Sequence, residues 1–155
     1  MTFQISALPL EEFALLFALD DVQLSARGAK RYTANRNPGF PCRVSLQDAA
    51  PGESLVLVPF IHQPADSPYR ASGPIFVREA ARQAALGVND VPEQLRLRLL
   101  SLRGYDSKAL MVESDVVDGR ELEGVVERLF CHPEIQYVHV HFARPGCYAC
   151  RIDRV

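Results

Sequence analysis

The chain has 155 residues, 48% hydrophobic and 23% charged, a length near one domain that can bury roughly 70% of the surface its unfolded form exposes. Its 17 basic and 19 acidic residues leave a formal net charge of −2, so no bulk attraction draws it to nucleic acid or to a membrane surface. Nine glycines and eleven prolines are too few for a disordered or fibrous chain, and no apolar run approaches the roughly 20 residues of a membrane helix.

Residues 1–19 carry Glu11 and Glu12 inside an apolar stretch and no basic residue, unlike a secretory signal. The expected location is the cytosol, where Cys42, Cys131, Cys147 and Cys150 are thiols or metal ligands rather than disulfides. Residues 9–18 place Leu10, Phe13, Ala14 and Phe17 at helical spacing behind Pro9. Asp20 then caps a second short helix that Gly28 stops. Strands are expected at residues 30–34, 42–46 and 54–60, separated by turns at Pro38-Gly39 and at Ala50-Pro51-Gly52.

Residues 62–74 have neither helical nor strand period and hold three prolines, which predicts a stiff loop. A strand resumes at 75–77, and the alanine-rich residues 78–86 predict a helix ended by Gly87. Residues 96–105 and 109–117 flank Asp106-Ser107-Lys108 as a hairpin would. Asp118 and Glu121 resemble a capping box ahead of the stripe Leu122, Val125, Val126 and Leu129. Residues 136–143 and 148–154 form two last strands around Arg144-Pro145-Gly146. The expectation is a single globular domain over 1–155, of α+β class, with a largely antiparallel sheet of about six strands and three or four short helices.

Two places concentrate chemistry. On the strand Tyr137-Val138-His139-Val140-His141-Phe142, strict alternation puts Tyr137, His139 and His141 on one face, with the imidazoles about 6.5–7 Å apart at the backbone. That spacing suits a shared metal, a shared substrate, or simply a polar outer face. The 62–72 loop gathers His62, Asp66, Tyr69, Arg70 and Ser72, polar groups whose prolines lower the entropy cost of fixing them. The expected site joins the two: Asp66, Tyr69, Arg70 and Ser72 bind a small anionic molecule, while His62, His139 or His141 moves a proton. Whether that site is catalytic is left open.

Two alternatives stand beside this reading. No cofactor is expected unless zinc is held by His139, His141, Cys147 and Cys150, the two sulfurs and two nitrogens of a tetrahedral centre. Against it, Cys147 and Cys150 point to opposite faces of an extended strand. A two-residue turn at Pro145-Gly146 would set His141 across from Cys150 and His139 across from Ile152. The other alternative is a scaffold without chemistry, a homodimer joined through a strand edge. Cys42, between Pro41 and Arg43 at a strand start, has no nucleophile signature, and Cys131 and Cys150 read as small buried side chains. Fifteen of the 17 basic residues are arginine, since only Lys30 and Lys108 are lysine, and the arginines are scattered.

The strings Pro41-Cys42-Arg43-Val44-Ser45-Leu46, His62-Gln63-Pro64-Ala65-Asp66-Ser67-Pro68-Tyr69-Arg70-Ala71-Ser72-Gly73-Pro74-Ile75-Phe76-Val77-Arg78, and His139-Val140-His141 with Gly146-Cys147-Tyr148 resemble the bacterial proteins grouped as domain of unknown function 1203. The resemblance covers almost the whole chain. It implies a single-domain bacterial protein of this size and brings with it no activity, ligand or catalytic residue.

Overall fold

A computed structural model describes all residues, 1–155. In chain order the elements are β1 (Phe3–Ser6), α1 (Asp21–Ala26), β2 (Lys30–Thr33), β3 (Ser54–Gln63), β4 (Ala71–Arg78), α2 (Glu93–Arg96), β5 (Leu99–Tyr105), β6 (Met111–Asp118), α3 (Leu122–Phe130), β7 (Tyr137–Phe142) and β8 (Tyr148–Arg154). The class is α+β, with eight strands in a five-stranded sheet of order β1-β8-β7-β5-β6 and a three-stranded sheet of order β2-β3-β4. No helix is long and apolar enough to cross a membrane. The chain folds as two compact units, one made of Met1–Ser6, Ile61–Gly73 and Leu86–Val155, the other of Ala7–Phe60 and Pro74–Ala85.

The first unit is built on the five-stranded antiparallel sheet. Period-two alternation sends Ile5, Leu100, Leu102, Val138, Val140 and Ile152 to one face, where all are fully buried or nearly so. Asp115 and Arg154 lie on that same face and reach Arg128 and Phe130 of α3, which places the helix over it. Leu122, Val126 and Leu129 are the buried stripe of that helix, as the spacing predicts, while Val125 is only half-buried. Asp118 accepts from the Arg120 N–H at 2.9 Å and caps a 3-10 turn that leads into α3. The opposite sheet face carries the histidines.

Two glycines in this unit have opposite roles. A Cβ at Gly119 would collide with the Leu95 carbonyl, backbone that cannot step aside, whereas one at Gly124 in α3 meets nothing within 4 Å. We expect Gly119→Ala to cost about 3 kcal/mol or more. Gly124→Ala is expected to stabilise by about 0.5–1 kcal/mol through lower unfolded-state entropy. Urea denaturation of the two variants checks both signs.

The second unit buries Phe13, Leu24, Val44, Val56, Ile75 and Val77 among others in one cluster. Its helix α1 begins with a complete capping box between Asp20 and Gln23 and ends before Gly28, whose φ of +70° only glycine adopts cheaply. Three expectations are corrected here. Residues 9–18 form two 3-10 pieces, Leu10–Glu12 and Ala14–Ala18. The three-residue repeat buries Phe13 and Leu16, leaves Phe17 partly buried against the same cluster, and exposes Ala14. Residues 42–46 are turns rather than a strand: Cys42 N–H donates to the Gln47 carbonyl at 3.0 Å, and Leu46 takes a φ of +53°. Residues 78–86 are not helical: Arg78 is the last residue of β4, and the Ala84 N–H is taken by the Val44 carbonyl at 2.9 Å instead of by a helical partner.

Candidate functional site

The site lies within the first unit, on the sheet face opposite α3. Tyr137, His139 and His141 of β7 share that face, as their alternation predicts. Cross-strand register adds Tyr105 opposite Tyr137 and Arg103 opposite His139 from β5, and Arg151 opposite His139 with Tyr148 opposite His141 from β8. His62 joins them from the end of β3. The strand runs three residues past its expected limit, so His62 belongs to regular structure rather than to the loop. The next residue, Gln63, is buried and donates from Nε2 to the Tyr137 hydroxyl at 2.9 Å, which fastens the strand end to the histidine face.

The three imidazoles meet. One ligating nitrogen from each of His62, His139 and His141 lies within 4.8 Å of the other two. His62 meets His141 edge-on at 4.9 Å between ring centroids and His139 at 6.3 Å. Tyrosines enclose the group: His62 stacks on Tyr148 at 5.6 Å and 7°, and His139 has Tyr105, Tyr137 and Tyr148 at 5.1–5.3 Å. His139 is 4% exposed and His141 1%, while His62 is half-buried.

Protonation follows from this packing. Burial holds the His139 pKa down to about 3, helped by the two other rings and by Arg151 and Arg103, so the ring is neutral at neutral pH. Burial, then the charge of Arg103, also lowers that of His62. The His141 Nδ1 lies 2.9 Å from the Gly146 carbonyl. A carbonyl only accepts, so Nδ1 carries the hydrogen, and Nε2 is the nitrogen left to offer a lone pair to a metal. His62 Nδ1 and His139 Nδ1 are buried with no hydrogen-bond partner. Orphaned ring nitrogens are costly unless something else satisfies them.

The remaining expected site residues are not buried with the three rings. Asp66, Tyr69, Arg70 and Ser72 are exposed. Arg70 donates to the Pro64 carbonyl at 2.5 Å, closing its own loop, and no ion pair joins it to Asp66. Tyr69 touches the site only through Tyr105, edge-on at 6.0 Å. The loop is held by Ser67, whose hydroxyl donates to the Ala109 carbonyl at 3.0 Å.

The alternative quartet is not assembled. Instead of facing Cys150 and Ile152, His141 faces Tyr148 and His139 faces Arg151, with a register shift between Val140 and His141. That one-residue difference sends Cys150 opposite Val140, on the core face. The hairpin closes through Gly146 at φ +81°, with Phe142 N–H donating to the Cys147 carbonyl. Neither cysteine belongs to the histidine group.

Sequence reasoning missed Tyr105, Tyr148, Arg103, Arg151 and Gln63. The Arg103-Gly104-Tyr105 alternation was visible in the hairpin strand, but nothing local says that β5 pairs with β7 across the intervening α3. Residues 39–154 match the family described as "Protein of unknown function (DUF1203)". No curated protein and no solved structure matches the chain.

Proposed function

The chain belongs to the DUF1203 family, whose description assigns no activity, and from the site geometry we propose that the protein binds a divalent transition metal through His62, His139 and His141 and uses it on a small molecule. The observation that carries this reading is the convergence of three ring nitrogens within 4.8 Å. A tetrahedral ion with 2.0–2.1 Å bonds to imidazole needs nitrogens about 3.3–3.4 Å apart. Closing the group onto an ion therefore takes inward movement of no more than about 1.5 Å, within reach of small ring rotations.

The protonation states support it. A metal takes only neutral imidazole, and burial already keeps His139 neutral. The Gly146 carbonyl orients His141 as outer partners of ligating histidines do. Three nitrogen donors without thiolate or carboxylate suit zinc first, and copper, nickel or iron after it. Three protein ligands leave a coordination position for water or substrate, the arrangement of catalytic rather than structural zinc. At such a position the pKa of water falls to roughly 7.

Calorimetric titration of chelator-treated protein with zinc tests the reading. We expect one ion per chain, and binding lost in His141→Ala. Equal zinc binding by the wild type and by a variant lacking all three histidines would overturn it.

A further inference from the structure

Arg103 stands beside the three histidines without an acid to match it. It is the direct cross-strand partner of His139, so their Cβ atoms are about 4.5–5.5 Å apart on the same sheet face. On the other side of His139, Arg151 is neutralised: it donates to Asp153 at 2.7 Å and its guanidinium lies 4.1 Å over the Tyr137 ring. Arg103 has no such arrangement. Its partner on the β6 side is Ser114, Tyr105 follows it two residues along the same face, and no ion pair includes it. It is half-buried, so its charge is partly desolvated with no carboxylate in ion-pair contact.

Its field acts on the site, being one of the causes that keep His62 and His139 neutral. A guanidinium carries five N–H donors in a planar fork that fits two oxygens of one carboxylate or phosphate. A metal dication on three uncharged imidazoles would add positive charge from a second direction, again without an acidic ligand to offset it.

We propose that the site takes a small oxyanion, a carboxylate or a phosphate, with one oxygen on the metal and another on the Arg103 fork. This rests on the metal reading above. It moves the anion-recognising role from Arg70, which is exposed and closes its own loop, to Arg103.

The test uses full-length protein loaded with cobalt(II), whose visible absorption responds to each new ligand. Wild type, Arg103→Gln and Arg103→Lys are titrated with acetate, with inorganic phosphate, and with imidazole as a neutral metal ligand. We expect cobalt to bind one per chain in all three proteins. At least one oxyanion should bind about tenfold or more weakly to Arg103→Gln, with an intermediate loss in Arg103→Lys, which keeps the charge but not the fork. Imidazole binding should be unchanged. The tighter of the two oxyanions identifies the substrate class as carboxylate or phosphate. Equal affinity of wild type and Arg103→Gln for both oxyanions would overturn the proposal and leave the metal reading standing. Failure of cobalt to bind the wild type would overturn both.

Discussion

Replacing His139 by phenylalanine is expected to remove metal binding and leave the chain folded. His139 is the innermost of the three rings, packed against Tyr105, Tyr137 and Tyr148. A phenyl ring fills that aromatic box with modest overpacking, about 1–3 kcal/mol at most. It also deletes the orphaned Nδ1, relieving a desolvation cost of similar size, about 1–3 kcal/mol. The two terms oppose each other, so the metal-free variant should melt within a few degrees of the wild type.

The effect on the metal has no such compensation. Zinc binding worth about 10–16 kcal/mol from a full ligand set implies roughly 3–4 kcal/mol for each ligand, or a loss of about 10²–10³ in affinity. Calorimetry beside a thermal melt measures both quantities. Zinc affinity within threefold of wild type would show that His139 is not a ligand.

The second large effect is on acid stability. The folded-state pKa of His139 is depressed from 6.5 to about 3, so between those values the unfolded chain holds a proton that the folded chain does not. Stability then rises with pH. The contribution is fully present above about pH 6.5 and is lost as pH falls toward 3, with a total on the order of 5 kcal/mol. His62, lowered for the same leading reason, adds a smaller change of the same sign.

Denaturant unfolding at pH 7 and pH 4 should therefore show a steep loss in the wild type. His139→Phe should flatten it, since the group that takes up the proton on unfolding is gone. An unchanged acid limb in that variant would mean that His139 titrates normally. The same neutral ring makes metal binding tolerant of mild acid, because little proton must be displaced from it at pH 6.

Much of the site could be read locally, and the remainder depended on which strands are neighbours. The alternation in residues 137–142 fixed the shared face of His139 and His141, because a strand's period of two leaves no other choice. His62 was visible as a site residue, but its role came from β3 continuing to Gln63 and from the Gln63–Tyr137 hydrogen bond, which no local pattern predicts. The proposed anion partner has no local signal. A proline-stiffened loop pointed to Arg70, while Arg103 lay unremarked in a strand whose partner β7 is more than 30 residues away. The hairpin at Gly146 carries the same lesson in register: one residue of shift along the strand and one more at the irregularity between Val140 and His141 exchanged Cys150 for Tyr148 beside His141. Short elements were hardest. β1 and α2 have four residues each, too few to show a period, and the 9–18 segment adopted a three-residue rather than a 3.6-residue repeat.

Diffraction from zinc-loaded crystals at the zinc absorption edge decides whether the three histidines hold one metal ion. One anomalous peak per chain is expected, about 2.0–2.1 Å from a ring nitrogen of each of His62, His139 and His141. Zinc elsewhere on the chain, with these three rings unligated, would contradict it.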